Sequence, residues 1–456
     1  MSKKTSRKTW RTMTAVLAVL LAGVMAVQCV YWAGVFDAKP EETEPINTGS
    51  LTRPDYTLEQ VVVLSRHNIR SPLSGNGSIL GDITPHEWFA WSSDPSDLSL
   101  RGGVLETQMG QYFRKWLEAE GLFEKNEHPS DKAVRIYSNS KQRTIATARY
   151  FSAGLLPTAN TKVEYHVEFD KMDPVFTPQL IFVSDEYNAD VRKQVKELFT
   201  ETVNGLSDNY SLLTDVIDMK DSQAWKEGTV SELRTDDTEL KLELNAEPGM
   251  SGSLKTACSV SDALVLQYYE EPDEQKAAFG HKLTKEQWEA LAEIKDVYGD
   301  VLFTAPLVAP NVAHPLLQEI QKELKTDGRK FSFLCGHDSN VGSVLAALGA
   351  EEYSLPYSIE KKTPIGCKVV FSRWRDKDGK AFCSVDLVYQ TSDQLRELSL
   401  LDLEHSPVIF PIKFSGLKSV SDGLYAEEDF MARLQEAIAE FDSITEKYAS
   451  APSKAA

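Results

Sequence analysis

Apolar and polar positions follow two different periods along this chain. Short apolar runs that end in polar residues recur at Val61-Val62-Val63-Leu64, at Ala133-Val134-Arg135-Ile136-Tyr137 and at Phe331-Ser332-Phe333-Leu334-Cys335. Runs of this kind read as parallel strands buried on both faces. Elsewhere apolar residues return every three or four positions: Leu105, Met109, Tyr112, Phe113 and Trp116; a run to Phe151; Val344, Leu345 and Leu348; and Phe430, Leu434, Ile438 and Phe441. That spacing lays one apolar stripe along a helix. Lys368 to Trp374 and Ser384 to Gln390 flank the turn Asp376-Lys377-Asp378-Gly379 and predict a hairpin. From about Met172 to Lys325 the helical period dominates, apart from an acidic irregular stretch near Asp218 to Pro248. One helix there is marked at its start, with Thr284 and Gln287 as a capping box and Leu283 and Trp288 as a hydrophobic staple.

The fold class this predicts is α/β, an open and mostly parallel central sheet flanked by helices with an inserted helical cap. The core takes residues 55–171 and 326–445, and the mainly helical cap region takes 172–325. Residues 446–456 read as a disordered tail. Residues 39–54, rich in Pro, Glu and Thr, read as a linker. Residues 1–38 carry Lys3, Lys4, Arg7, Lys8 and Arg11 ahead of an apolar run from Ala15 to Val27. This is a secretory signal pattern with a cut after Ala26, or an N-terminal membrane anchor if it stays uncut. Either way the body is expected outside the cytoplasm, as a periplasmic, secreted or surface-anchored protein.

The formal net charge is −19, more negative still once the basic N-terminal residues are set aside, which argues against nucleic acid as a partner. Against that background two arginines stand out. Ser65-Arg66-His67-Asn68-Ile69-Arg70-Ser71-Pro72 follows the first apolar run, so Arg66, His67 and Arg70 are expected at the carboxyl end of a strand, where open α/β sheets keep their sites. Two cations around one imidazole repel a metal ion and suit an oxyanion. Phosphate fits best, because a guanidinium fork matches its oxygens bidentately. Arg143 follows the second run, and His337 and Asp338 follow the third. His67 is then the nucleophile and Asp338 the proton donor and acceptor. Arg66, Arg70, Arg143 and a protonated His337 hold the phosphoryl oxygens. No metal and no cofactor are expected. The remaining histidines lack ligand spacing. The cysteines show no C-x-x-C pattern; Cys335 reads as a buried small hydrophobe, and a Cys367–Cys383 bridge has no support beyond the presence of both residues.

The stretches SRHNIRSPL and GHDSN resemble the histidine acid phosphatase family, branch two of the histidine phosphatases. So do SNSKQRTIATARYFSAGL, DPVFTP, EPGMSGSL, LVLQYYE, TPIGCKVVFSRW and VYQTSDQLR, which together run from about residue 56 to 440. The resemblance implies an α/β core with a helical cap and an exported enzyme that hydrolyses phosphate monoesters through a phosphohistidine. It implies the same roles for His67, Asp338, Arg66, Arg70, Arg143 and His337, and it adds Glu247, in the Glu-Pro-Gly loop, at the substrate. Asn68 and Leu73 stand where many phytases of the family carry Gly and Thr, and they match members that cleave sugar phosphates such as glucose 1-phosphate. A small phosphorylated substrate is therefore the expected partner, with the membrane met only through the N-terminal segment. Inositol phosphates are the alternative substrates; a phosphotransferase of mutase type or a non-catalytic binding protein on the same fold are weaker ones. Family disulfides in the cap and near the C-terminus have no counterpart here, since Pro157 to Asn160, Ala224 to Lys226 and Lys418 to Asp429 contain no cysteine.

Overall fold

A computed structural model describes residues 49–75, 78–421 and 423–449. The expected signal or anchor, most of the linker and the end of the tail lie outside the described residues. The strands are β1 (Tyr56–Arg66), β2 (Val134–Ser138), β3 (Val163–Glu164), β4 (Glu239–Lys241), β5 (Gly249–Ser251), β6 (Phe331–Gly336), β7 (Lys368–Asp376), β8 (Ala381–Tyr389), β9 (Val408–Pro411) and β10 (Leu424–Ala426). The longer helices are α1 (Leu100–Ala119), α2 (Gln142–Leu155), α3 (Asp185–Gly205), α4 (Ser207–Val216), α5 (Ser253–Glu270), α6 (Lys285–Phe303), α7 (Ala309–Leu324), α8 (Asp338–Ala347) and α9 (Glu427–Ala449). No helix among the described residues is long and apolar enough to cross a membrane.

The main sheet is mixed, in the order β10-β8-β7-β1-β6-β2-β3, with β9 also paired to β8. Strands β1, β6, β2 and β3 run parallel, and β7 to β10 add antiparallel partners on the other side of β1. The apolar runs are explained by layers on both faces. Val61 and Val63 face Phe113, Trp116 and Phe151 from α1 and α2, whereas Val62 and Leu64 face Leu316, Leu317, Val344 and Leu434 from α7, α8 and α9. All four strand residues are fully buried, as a central parallel strand requires. The hairpin of β7 and β8 turns at Gly379, whose φ of +82° is the left-handed conformation that glycine adopts without strain.

A third apolar cluster, including Tyr210, Leu213, Leu264, Trp288 and Leu291, holds α4, α5 and α6 together as the helical subdomain. The capping box at Thr284 and Gln287 is present, with bonds of 3.3 and 2.9 Å. The stretch read as irregular contains β4, which pairs with β5 just beyond it in a two-stranded ribbon too short to leave an alternating signal. Two further differences appear. Residues at the end of the linker are packed rather than free: Leu51 is buried, its carbonyl accepts from Trp116 Nε1 at 3.2 Å, and Gly49 N–H donates to Ile409 at 2.9 Å. The last helix continues through Ala449. The four described cysteines are all free, so Cys367 and Cys383 do not pair; each is buried in the core instead.

Helices α1 and α2 touch backbone to backbone. A Cβ at Gly110 would lie 2.2 Å from the Phe151 carbonyl, and one at Gly154 would lie 2.1 Å from that of Thr107. Glycine is needed there because any side chain forces the helices apart. Helix propensity alone favours alanine by about 0.5–1 kcal/mol. Overpacking costs about 1–3 kcal/mol and more when backbone must move. Gly110→Ala is therefore expected to lower the urea midpoint; a raised midpoint would show that the helices separate without cost.

Candidate active site

Three parallel strands end in one row. Arg66 pairs with Gly336 and Ser138 with Cys335. The ladder extends one residue further, with His67 N–H donating to the Gly336 carbonyl at 3.0 Å and Asn139 N–H to that of Cys335 at 2.9 Å. Beyond these bonds the chains diverge, into α8 after His337 and into α2 just before Arg143. His67, Arg70, Arg143, His337 and Asp338 line one cleft of about 420 Å³, a size suited to a small molecule. The cap supplies the opposite wall with Glu247, Lys255, Asp262, Lys295 and Tyr298. Arg66 lies beneath the cleft floor, 1% exposed, and its guanidinium stands 3.5 Å from Asp338.

His67 is buried, and its Nδ1 lies 2.8 Å from the Asn68 carbonyl. A carbonyl only accepts, so Nδ1 carries the proton and Nε2 keeps the lone pair. Burial first, then the cations Arg143, Arg70 and Arg66, hold the ring well below the usual histidine range, so the imidazole is neutral. The loop is braced from below. Asn68 Nδ2 donates to Glu106 on α1 at 2.9 Å, and Glu106 pairs with Lys368 at 2.9 Å with both side chains fully buried. Gly366 packs against Asn68, where a Cβ would come within 2.6 Å of Nδ2. Asn68 therefore works as a support under His67 and does not line the cleft. Leu73, the other position that differs from many phytases, is exposed and does line it.

The cations are countered by acids the sequence did not single out. Glu360, fully buried, accepts from Arg66 at 2.7 Å and from Lys295 of the cap at 2.9 Å. Lys295 also stands 3.5 Å from Asp338. Arg70 donates to Asp262 of α5 at 2.9 Å. Burial alone would raise the Asp338 carboxyl; Arg66 and Lys295 outweigh it and hold the group well below the usual range. Burial and neighbouring Arg70 push Arg143 down to about 10, which leaves it charged. His337 departs from expectation. Its Nε2 lies 2.7 Å from Asn139 Nδ2, and burial with Arg143 holds the ring well below the usual range. Both favour the neutral ring over the imidazolium expected.

Glu247 stands on the cap rim immediately before β5. Two backbone bonds fasten its turn, Asn245 to Leu180 at 2.8 Å and Leu180 to Ala246 at 2.9 Å. Its carboxyl is raised by desolvation first and by Asp338 second. The residues that sequence reading missed, Asp262, Lys295 and Glu360, sit in helices or an unpatterned loop. Their signal was weak but present: Lys295 falls on the inward stripe of α6 with Trp288 and Leu291, and a buried lysine needs an acid.

The profile of the histidine phosphatase superfamily (branch 2) matches residues 57–390. The chain is 38% identical over 402 residues to a glucose-1-phosphatase of Providencia rettgeri, covering 86% of this chain and 95% of that one. It is 37% identical to a glucose-1-phosphatase of Salmonella typhimurium, covering 83% and 92%. Among solved structures, the apo form of Hafnia alvei phytase superposes with a TM-score of 0.77 at 26% identity, covering 85% of this chain and 98% of that one.

Glu360 gives a direct test of the ion network. Burial opposes its charge, but Lys295 and Arg66 lower its pKa from 4.5 to about 2. A carboxylate depressed on folding adds stability that is full above its unfolded pKa and lost as pH falls through the folded one. The depression corresponds to about 3 kcal/mol. Glu360→Gln is expected to destabilise by about 3–5 kcal/mol at neutral pH, with the gap to wild type closing between pH 4.5 and about 2. Denaturant melts across that window check it; a gap independent of pH would exclude the ionic account.

Proposed function

Since this chain belongs to branch 2 of the histidine phosphatase superfamily and is a phosphate monoester hydrolase, we propose that it works through a phosphohistidine on His67 and prefers a sugar monophosphate such as glucose 1-phosphate. The observation that carries the mechanism is His67 with its Nδ1 committed to the Asn68 carbonyl and its other nitrogen in a cleft lined by the guanidiniums of Arg70 and Arg143. In the first step the Nε2–P bond forms as the bond from phosphorus to the leaving oxygen breaks, and Asp338 gives that oxygen a proton. In the second, water attacks phosphorus, Asp338 takes its proton, the N–P bond breaks and the lone pair returns to His67. Arg66, Arg70 and Arg143 hold charge that is redistributed but never released to solvent. Asp338 must be protonated for the first step although Arg66 and Lys295 favour its anion. The negative charge of bound phosphate offsets those cations, so Asp338 takes up its proton as substrate binds. The basic, apolar N-terminal pattern supports action outside the cytoplasm.

Asp338→Asn separates the roles. An alkoxide leaving group needs the proton and a phenoxide needs it less. Phosphoenzyme formation is expected to fall by at least 10²-fold on a sugar phosphate and much less on an aryl phosphate. Rapid acid quench with labelled substrates reads both; equal losses would remove Asp338 as the acid. His67→Ala should abolish the trapped label altogether.

The sugar preference rests on Glu247 and Leu73. A carboxylate accepts from hydroxyls and repels the additional phosphates of phytate. Its raised pKa sets the sign: selectivity for the sugar phosphate over phytate should grow as pH rises and Glu247 ionises. Glu247→Ala should lower kcat/KM on glucose 1-phosphate, raise the relative value on phytate and flatten that pH trend. Measuring kcat/KM for both substrates decides it, and an unchanged ratio would exclude the loop acid from substrate choice.

A further inference from the structure

Asn139 is the first residue past β2 and is wholly buried beside the catalytic cleft. All the hydrogen-bonding capacity of its side chain is used. Oδ1 accepts from the backbone N–H of Ser140 at 2.7 Å and of Asp173 at 2.8 Å. Both of those groups can only donate, so the amide cannot be turned over, and its NH₂ must face the other way. On that side stand His337 Nε2 at 2.7 Å and Met172 Sδ at 3.2 Å. Nε2 of His337 therefore receives a hydrogen and cannot carry one. A proton there would set N–H against N–H at 2.7 Å with neither group free to turn.

We propose that Asn139 is a positioning residue that fixes His337 as a neutral imidazole protonated on Nδ1, so that the charge of the phosphate clamp comes from its arginines and stays constant where a free histidine would titrate. The backbone supports the lock. His337 N–H donates to Asn340 Oδ1 at 2.9 Å, and Asn340 Nδ2 donates to the Phe176 carbonyl at 2.9 Å, which anchors the backbone that carries the ring. The cations around the ring favour the same state: Arg143 and Lys141 face it from the start of α2 and Arg70 from the loop after β1, whereas Asp338 opposes them from α8 and the neutral ring of His67 packs edge-on against it. The carboxylate of nearby Asp173 is engaged by Tyr137 Oη at 2.9 Å. A clamp of fixed charge suits an enzyme whose other partner, Asp338, must change protonation in each step: one group titrates and the rest do not.

The proposal rests on the phosphatase reading, and the test separates the two. In phosphate-free protein labelled with ¹⁵N-histidine, His337 is expected to show an unprotonated Nε2 and a protonated Nδ1 from mildly acid to neutral pH. Asn139→Asp keeps an oxygen for Ser140 and Asp173 and turns the other atom from donor to acceptor. In that variant His337 should titrate as an imidazolium. The inhibition constant for inorganic phosphate should then gain about one further proton of pH dependence. A wild-type His337 protonated on Nε2, or titrating like a free histidine, overturns the proposal even if the variant does not fold. So does an Asn139→Asp protein whose tautomer and pH profile match wild type. Failure of the wild-type enzyme to release phosphate from any monoester would instead remove the phosphatase reading, and the nitrogen shifts would still decide the role of Asn139.

Discussion

Everything in the site depends on the parallel ladder of β1, β6 and β2. Its register ends the strands together, with Arg66 opposite Gly336 and Cys335 opposite Ser138. The next residues, His67 and Asn139, are still held by backbone bonds to β6. Side chains on loops scatter by ångströms, but residues anchored by one more rung of a ladder do not. His67 and Asn139 thus inherit the rigidity of the sheet, which is what a site that works by positioning requires.

A second constraint follows from the first. Three guanidiniums and a lysine drawn into one low-dielectric region would repel one another and whatever folded them. Glu360, Asp262 and Asp338 offset that charge, each at hydrogen-bonding or ion-pair distance. The acidic surface of the chain and the cationic interior of its cleft are therefore different matters. Net charge governs long-range encounters, whereas recognition is governed by the few cations that burial has freed from screening.

Much of this was legible in the sequence because the informative residues lie directly after apolar runs. A strand of four to six apolar residues announces itself, and Arg66, His67, Arg143, His337 and Asp338 take their positions from that ending alone. Glu247 had no such marker and came only through family resemblance. Lys295, Asp262 and Glu360 were missed because a helix or irregular loop places a residue by tertiary packing, which no local period records. The surroundings of His337 were hidden for a related reason. A histidine beside an anion site suggests an imidazolium, but its protonation is set by an asparagine nearly two hundred positions away in sequence whose own orientation is set by two backbone amides. The ribbon of β4 and β5 and the packing of Leu51 and Arg53 at the end of the linker were missed because these pieces are too short to show a pattern.

The buried carboxylate of Glu360 is shared between Arg66 of the sheet and Lys295 of the cap. Separating the lobes would strand at least one full charge in an apolar interior before any of the lost contacts were replaced by water. Partial opening at this point is thus disfavoured more steeply than apolar contact alone would make it. The two lobes are consequently expected to melt as a single cooperative unit, with amide protons in β1 and α6 exchanging only through the same global opening.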